Sequence, residues 1–346
     1  MQDIHNVRKA SLCIEKYIVD TPVITSDILN SILGHNIFFK LDCFQVTGSF
    51  KVRGVLNYFL SLKHLPEKVV ASSTGNNAIG VSFLSQKLGI ECKIYVPKTA
   101  AKIKIEKAIY YGAKVHIVES VTDISKLMLK DVELGYTSYP SSEHEDVIAG
   151  AGTVCYDALL HLQEKSIEVD AIFASCATGG MLSGSLLAKN LIMPHAKLFG
   201  VEPSVVDDAL RSIITNTVVP IRKNSDMSIA DGLNIGSIAT ATLPYLKKLD
   251  GFFLVQEEEI KYWTSRVMQL AQVQSEAACG INMAAVKKWI DMNKASGDQK
   301  RRNILVIISG GNVDFTSLAH HHCSNISDIA CNRSSDTTEF FDLSKN

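Results

Sequence analysis

The sequence predicts an α/β fold, in which short buried strands alternate with helices. Strands are indicated by apolar runs rich in β-branched and aromatic residues, at 68–73, 91–97, 113–119, 170–176, 197–203, 251–257 and 303–311. Between the first three runs, residues 76–89 and 100–112 show the spacing of helices, which gives a βαβαβ order. Runs without polar alternation are typical of strands covered by helices on both faces, so we expect largely parallel sheets.

Composition and charge favour a small-molecule partner. The 346 residues are 46% hydrophobic, which can supply a sizeable core, and the formal net charge is −1. Acidic and basic residues are spread along the chain, so we expect neither nucleic acid nor a membrane as a partner. Residues 1–17 lack an uninterrupted apolar region, and no stretch approaches the about 18 apolar residues of a membrane span. We therefore expect a cytoplasmic protein without a secretion signal.

The cysteines and the C-terminal residues give weaker signals. Eight cysteines are scattered without paired spacing, and we expect them to be reduced rather than joined in disulfides or bound to a metal. From residue 320 the chain is polar with little periodicity, which predicts a loosely ordered extension. His320, His321, His322 and Cys323 allow a metal-binding interpretation, but adjacent histidines point in different directions, so a solvated tail is favoured.

Lys51 is the first candidate for chemistry. It follows small residues at 47–49, is flanked by Phe50 and Val52, and precedes a helical run. A lysine held between apolar neighbours loses hydration, which lowers its pKa and allows it to form a Schiff base. A solvated surface lysine is the alternative at this point.

Three strand ends carry small and polar residues of the kind that line ligand-binding sites. Residues 72–77 bring hydroxyls, amides and free N–H groups to a helix start, which suits a carboxylate or phosphate, although an ordinary N-cap uses the same residue types. Residues 177–181 place two glycines before a helix, as in a phosphate cradle. Residues 309–312 end a strand at a position where ligands of such sheets bind. A tight turn is the alternative for both glycine pairs.

Together and in this order, the four segments resemble fold-type II pyridoxal phosphate (PLP) enzymes, in particular the serine racemase and serine/threonine dehydratase family. The similarity runs from about residue 21 to about residue 317 and takes in EDVIAGAGT, GVEPSVVDD, SIADGL and SEAACGINMAAV. It implies a tryptophan synthase β-like α/β fold of two domains, with parallel-rich twisted sheets flanked by helices. Residues 1–63 and 149–319 would form a large PLP-binding domain, 64–148 a small domain, and 320–346 a polar extension.

The resemblance also implies a role for each candidate residue. Lys51 would hold PLP covalently, Phe50 would pack near the ring, and Asn76 would bind the ring hydroxyl. Ser309 would face the ring nitrogen. The phosphate would lie against Ala177, Thr178, Gly179, Gly180 and Met181. The substrate carboxylate would lie against Ser73, Thr74 and Asn77.

The implied reaction eliminates water from a small hydroxy amino acid of the L-serine or L-threonine type, giving a 2-oxo acid and ammonium, with Lys51 as general base. A neutral hydroxyl opposite the ring nitrogen favours elimination over transamination. Thr74 has a hydroxyl where serine racemase-like members have a second serine, so racemisation stays open, as does β-replacement of the threonine synthase-like kind. The third hypothesis is a weakly catalytic PLP-fold protein that binds a ligand or partner.

A metal site and an assembly are implied in the same way. Glu202 and Asp208, with the carbonyl of Val206 between them, match a divalent-cation site of serine racemase-like members, and oxygen ligands suit Mg²⁺ or Ca²⁺. A surface loop with acidic residues is the alternative. We further expect a homodimer, and no feedback inhibition by an end-product amino acid, since little chain follows Ser309.

Overall fold

The fold is given by a computed structural model, which describes residues 5–73, 75–119, 121–222, 226–298, 300–314 and 339–344, with only the backbone of residues 121 and 122. The predicted α/β class is confirmed, and each of the seven predicted strands is present. The strands are β1 (Val23–Thr25), β2 (Asn36–Leu41), β3 (Lys68–Ser72), β4 (Glu91–Pro97), β5 (Lys114–Val118), β6 (Thr137–Ser138), β7 (Ala171–Ser175), β8 (Lys197–Pro203), β9 (Gly251–Val255), β10 (Asn303–Ile308) and β11 (Glu339–Asp342).

Helices connect most of these strands. They are α1 (Asn6–Ile14), α2 (Asp27–Leu33), α3 (Lys51–Ser61), α4 (Asn76–Leu88), α5 (Lys102–Tyr110), α6 (Val121–Glu133), α7 (Glu145–Glu164), α8 (Gly180–Ile192), α9 (Asp208–Thr215), α10 (Leu243–Leu246), α11 (Glu257–Leu270) and α12 (Ala277–Ala295). Among the described residues, no helix is both long and apolar enough to span a bilayer.

The larger sheet has the strand order β1-β2-β10-β7-β8-β9-β11. Its five central strands are parallel, and the two edge strands run antiparallel to their neighbours. Both faces are buried: α7 and α8 contribute to the hydrophobic cluster on one side, and α11 and α12 to the cluster on the other. This double coverage explains why the central strands are apolar throughout.

The smaller sheet has the order β5-β4-β3-β6 and is entirely parallel. Apolar residues of α3 and α4 pack against β3 and β4 in one cluster. Helix α3 therefore belongs to the packing of the smaller sheet as well as to that of α7. The domain boundaries at residues 63 and 148 stay a prediction.

Helices α7 and α8 cross at a point where both have glycine. A Cβ on Gly152 would stand 2.5 Å from the carbonyl oxygen of Gly184, and a Cβ on Gly184 would stand 2.5 Å from the Cα of Gly152. Real Cβ atoms do not tolerate such distances, so glycine at both positions allows the two backbones to touch. This contact holds α8 against α7 about one turn after Gly180, the first residue of α8. It therefore positions the predicted phosphate cradle, which lies at that helix start.

The interpretation of the whole C-terminal region as a loosely ordered extension is wrong for its last part. Residues 339–342 form β11, which pairs with β9 at the edge of the larger sheet. Phe340 and Phe341 alternate, so that one packs in each of the two clusters. Residues 339–342 form a strand because they pair with β9, which is distant in the sequence. A run of four residues is too short for its own pattern to predict that strand. Residues 320–338, including the histidines, lie outside the described residues.

Candidate active site

Three neighbouring parallel strands of the larger sheet end at the candidate site. Lys51 follows β2, Ser309 follows β10 and residues 177–181 follow β7, and these three strands lie side by side. Ligands in open α/β sheets bind at the carboxyl ends of strands. Sheet topology therefore gathers segments that are far apart in the sequence.

The predicted cofactor-binding residues line one cleft, whose open space, including adjoining solvent, is about 460 Å³. All nine of them are present in its wall: Phe50, Lys51, Asn76, Ala177, Thr178, Gly179, Gly180, Met181 and Ser309. An adjoining cavity is lined by Ser73 and Asn77 together with Lys51 and Asn76. Thr74, the remaining predicted substrate-binding residue, lies outside the described residues.

Lys51 presents a primary amine to the cleft from the first turn of α3. Burial lowers the pKa of its amine to about 8, because the charged form loses hydration, and the carboxylate of Glu276 opposes this shift only in part. The amine lies 4.9 Å from the centre of the Phe50 ring. A substantial fraction of Lys51 is therefore uncharged, and hence nucleophilic, near neutral pH.

A buried ion pair holds the helix that carries Lys51. The guanidinium of Arg53 has no solvent exposure and donates to Asp42, at 2.5 Å, and to Asp157, at 2.7 Å. The backbone N–H of Phe50 also donates to the carbonyl of Ser309, at 2.8 Å. These contacts join the start of α3 to α7 and to the end of β10, so the amine and the Ser309 hydroxyl are fixed relative to each other.

The anion cradle is built at the start of α8. Gly179 has φ of +87°, a left-handed conformation that favours glycine, and it turns the chain from β7 into the helix. The first N–H groups of a helix lack intrahelical acceptors and point toward a bound anion. The hydroxyls of Thr178 and Ser142 lie 2.7 Å apart, and the Thr178 carbonyl accepts from Thr242 at 2.9 Å, which holds the loop.

A network of polar groups closes the other side of the cleft. The Asn76 amide donates to the Glu276 carboxylate at 2.8 Å and accepts from Asn312 at 2.8 Å. The ammonium of Lys104 contacts Glu276 at 2.9 Å and Asp231 at 2.7 Å, and both Lys104 and Glu276 are almost completely buried. Proximity to these two carboxylates raises the pKa of Lys104 despite its burial, so it stays charged. The network joins α5 of the smaller sheet to α12.

Sequence reasoning did not single out several of these residues. Glu276, Lys104 and Ser142 were not predicted, although Glu276 falls inside the segment SEAACGINMAAV. The available signal was an acidic side chain inside an otherwise small and apolar segment, which requires a buried partner. That partner, Lys104, lies 172 residues away in the sequence, so no local pattern reveals it.

The predicted metal ligands do not line this cleft: Glu202 lies near the end of β8, Val206 follows that strand, and Asp208 begins α9. Glu202 and Asp208 are 1% and 2% exposed, and Val206 is also buried. The Glu202 carboxylate accepts the N–H groups of Ala209 and Leu210 at 3.2 and 2.9 Å. Burial raises the pKa of Asp208 to about 6, and its Oδ2 atom has no hydrogen-bond partner among the described residues. Within those residues, no group of three or more His, Cys, Asp or Glu side chains forms a metal cluster.

Comparison with known proteins gives a consistent result. Residues 14–310 match the family model described as pyridoxal-phosphate dependent enzyme. The chain is 36% identical over 323 residues to a serine racemase of Bos taurus, covering 90% of this chain and 93% of that protein. It is 32% identical over 322 residues to the L-threo-3-hydroxyaspartate ammonia-lyase of Saccharomyces cerevisiae, covering 91% and 94%.

Solved structures agree with the sequence comparisons. A threonine deaminase from T.th. superposes with a TM-score of 0.82 at 28% identity, covering 91% of this chain and 99% of that chain. The serine racemase of Dictyostelium discoideum superposes with a TM-score of 0.78 at 33% identity, covering 90% and 98%. The resemblance inferred from the four segments is therefore confirmed, together with the fold that it implied.

Proposed function

Because this chain belongs to the pyridoxal-phosphate dependent enzyme family, we propose that it is an ammonia-lyase for a small β-hydroxy amino acid of the serine or threonine type. The substrate would lose water, and hydrolysis of the resulting enamine by a second water molecule would release ammonium and leave a 2-oxo acid. One observation carries the proposal: the half-buried Lys51, whose amine has a lowered pKa, faces a cleft that also presents an anion cradle and the Ser309 hydroxyl.

The residues of the cleft fit the cofactor. An aldehyde needs an uncharged amine, a phosphate needs N–H donors at a helix start, and a heteroaromatic nitrogen needs a polar partner. Lys51, residues 177–181 and Ser309 supply these three groups around one cavity. When bound, PLP would withdraw electrons from the substrate Cα and make its proton acidic.

Lys51 then has two proton transfers to perform. As an uncharged amine it accepts the Cα proton, and as an ammonium it donates a proton to the leaving hydroxyl, which departs as water. A pKa of about 8 suits both directions, because neither protonation state is strongly disfavoured near neutral pH. Ser309 contributes a neutral hydroxyl where a carboxylate would stabilise positive charge, which favours elimination over transamination.

Steady-state assays test the proposal. Purified protein incubated with L-serine, L-threonine and threo-3-hydroxyaspartate should form a 2-oxo acid and ammonium in equal amounts. Lys51→Ala should abolish the reaction, and borohydride reduction followed by peptide mapping should mark residue 51 in the wild type alone. Cofactor bound at Lys51 without turnover of any hydroxy amino acid would instead indicate the weakly catalytic binding protein.

Amino acid racemisation is the second candidate. It is favoured by the 36% identical relative, which is a serine racemase, and by the hydroxyl that Thr74 supplies in the sequence. A racemase needs a second proton donor on the opposite face of Cα from Lys51. Chiral chromatography of the unreacted substrate separates the two activities: enrichment of the D-enantiomer that Thr74→Ala abolishes would assign racemisation.

We also propose a divalent-cation site at Glu202, the Val206 carbonyl and Asp208. Two buried carboxylates with raised pKa values and an unpaired Asp208 oxygen are typical of a site that a cation completes. Without a cation, the raised pKa of Asp208 makes its own contribution to folding stability largest below its ordinary pKa of 3.8, and that contribution is lost as pH rises through about 6. Mg²⁺ or Ca²⁺ should reverse that loss.

Thermal unfolding measures the effect of the cation. At pH 7.5, adding Mg²⁺ or Ca²⁺ to chelator-treated protein should raise the midpoint by several degrees, since about 1–3 kcal/mol of carboxylate desolvation is compensated. Asp208→Asn should remove the response, whereas the exposed Glu258→Gln should preserve it. An equal response in both variants would contradict the site.

The homodimer and the cytoplasmic location also stay predictions, which sedimentation analysis and cell fractionation can check.

A further inference from the structure

A further cavity adjoins the cleft, and the segment between β6 and α7 forms part of its wall. Its open space, including adjoining solvent, is about 270 Å³. One side of the wall is apolar, and the other side is formed by Lys51, Asn77, Tyr139, Ser141 and Ser142. We call this space the tyrosine cavity. Lys51 and Asn77 also line the cavity at the end of β3, so the two cavities meet at these side chains.

Tyr139 has a buried hydroxyl without a partner. The residue is 5% exposed, and its hydroxyl oxygen makes no hydrogen bond to any of the described residues. Its ring is held by packing, because it stacks on the Phe59 ring with 6.1 Å between the ring centres. Burial raises the pKa of the hydroxyl, so it keeps its hydrogen and is a neutral donor. A buried donor without an acceptor is unfavourable, and a ligand in the tyrosine cavity can supply that acceptor.

The chemistry of the polar wall indicates what kind of acceptor fits. Each of its five side chains carries a hydrogen-bond donor: an amine, an amide or a hydroxyl. No acidic side chain lines the tyrosine cavity among the residues that the structure describes. A carboxylate only accepts hydrogen bonds, and the bonds that it accepts are stronger than those between neutral groups. The polar wall is therefore complementary to a carboxylate.

The position of the tyrosine cavity relates it to one part of the substrate. The proposed function puts the substrate carboxylate against Ser73 and Asn77 and uses Lys51 as the base for the Cα proton. The remaining carbon substituent of Cα is the substrate side chain. Because the tyrosine cavity shares Lys51 and Asn77 with the cavity of Ser73, it is the adjoining space into which that side chain can extend. A group attached to Cβ would then reach the wall that contains Tyr139.

We propose that the tyrosine cavity binds a carboxylate on the substrate Cβ, that Tyr139 donates to this carboxylate, and that the substrate class is therefore a β-hydroxy amino acid with a second carboxylate. L-Threonine has a methyl group at this position, which would leave the Tyr139 hydroxyl without an acceptor. A site built to hydrogen-bond a substrate group discriminates against analogues that lack the group. The inference rests on the proposed function, because that function places the substrate carboxylate and the base.

The first measurement compares L-threo-3-hydroxyaspartate with L-threonine, which has a methyl group in place of the second carboxylate. The holoenzyme should show a kcat/KM for the dicarboxylate that is higher by about tenfold or more, since hydrogen bonds to charged groups are the stronger ones. Tyr139→Phe removes only the hydroxyl and keeps the ring that stacks on Phe59. It should lower kcat/KM for the dicarboxylate about tenfold and leave that for threonine unchanged or raised.

The second measurement needs no turnover. L-Aspartate and L-2-aminobutyrate differ by the same exchange of carboxylate for methyl, and neither has a hydroxyl to eliminate. Isothermal titration calorimetry on the holoenzyme gives the two dissociation constants. Aspartate should bind the wild type more tightly, and Tyr139→Phe should reduce the ratio of the two constants about tenfold.

Tyr136→Phe provides the matched control, because Tyr136 is also a buried tyrosine, but its hydroxyl donates to Glu91 and it lines neither cavity. Both ratios should equal those of the wild type. Unchanged ratios in Tyr139→Phe, as expected if its hydroxyl contacts only water, would overturn the inference. No turnover of any hydroxy amino acid, combined with an aspartate preference that Tyr139→Phe reduces, would reject the proposed function and support the carboxylate subsite.

Discussion

At the scale of single residues, burial and neighbouring charge decide which groups are reactive. Lys51 is half-buried, Lys104 is fully buried, and both face the same cavity. Desolvation dominates at Lys51 and lowers its pKa, whereas two carboxylates close to Lys104 outweigh the same desolvation and raise its pKa. One lysine is therefore suited to nucleophilic chemistry and the other to structural pairing.

The lowered pKa of Lys51 predicts how cofactor capture depends on pH. Only the uncharged amine attacks an aldehyde, so the rate at which cofactor-free protein captures PLP should rise through about pH 8 and level off above it. Stopped-flow absorbance measures this rate, with Lys51→Ala as a control that should show no covalent capture at any pH. A rate that keeps rising to about pH 10, near the ordinary lysine pKa, would show that the amine is not desolvated.

Removing Glu276 should be far more harmful than removing an exposed acid. Glu276→Ala leaves the buried Lys104 without its buried partner and leaves the Asn76 amide and the Asn312 N–H without their acceptor. Breaking a buried ion pair costs about 3–5 kcal/mol, and because Lys104 keeps its partly exposed partner Asp231, we expect Glu276→Ala to lose about 3 kcal/mol of unfolding free energy.

Chemical denaturation gives the free energy of unfolding of each variant. Glu258→Ala, which breaks an exposed pair with Lys261, is the control and should cost less than about 1 kcal/mol. Similar losses of unfolding free energy in both variants would mean that the hydrogen bonds and ion pairs of Glu276 stabilise the fold no more than an exposed pair does.

At the scale of secondary-structure elements, close helix crossings position the site. Gly152 and Gly184 let α7 and α8 touch, and α8 begins at the cradle of residues 177–181. A helix start can hold an anion only where its N–H groups face the cavity, so the crossing determines where the phosphate of a cofactor can lie.

A methyl group at this crossing should separate the helices. Gly184→Ala places a Cβ against the backbone of Ile148 and Gly152, which cannot be relieved by rotating a side chain, so we expect a loss of about 2–3 kcal/mol in unfolding free energy. PLP affinity should also fall, as measured by equilibrium dialysis. Gly236→Ala, which meets open space, is the control. Unchanged PLP affinity in Gly184→Ala would show that the helix crossing does not position the phosphate cradle.

At the scale of the whole molecule, the last described strand completes the larger sheet. β11 covers the edge of β9, and the Phe340 ring lies 4.7 Å from the Phe253 ring, centre to centre. Leu343 is buried in the cluster on the opposite face. An edge covered in this way no longer presents unpaired backbone groups for association with other chains.

Deleting residues 339–346 should therefore destabilise the protein and promote aggregation. We expect a loss of about 2–4 kcal/mol, because Phe253 loses its ring partner and β9 becomes an exposed edge. Thermal unfolding and light scattering measure the two effects. Phe340→Ala should reproduce most of the destabilisation and the exposed Glu339→Ala almost none. A deletion variant as stable as the full chain would show that β11 contributes no packing energy.

Local sequence patterns predict the α/β class, the seven strands named first, the helices over residues 76–89 and 100–112, and the segments that line the cleft. These features depend on local spacing of apolar residues and on the small residues that follow each strand, so neighbouring positions carry the signal. Strands β1, β2, β6 and β11 were not predicted, because their pairing partners supply most of their order.

Which side chains come into contact depends on long-range packing. Strand β10 inserts between β2 and β7, which brings Ser309 beside Lys51, and the contact of Asn76 with Glu276 joins residues 200 positions apart. The shifted pKa values of Lys51 and Lys104 follow from such long-range contacts. Long-range packing sets the hydration and the charge around each group, and no local pattern in the chain encodes either quantity.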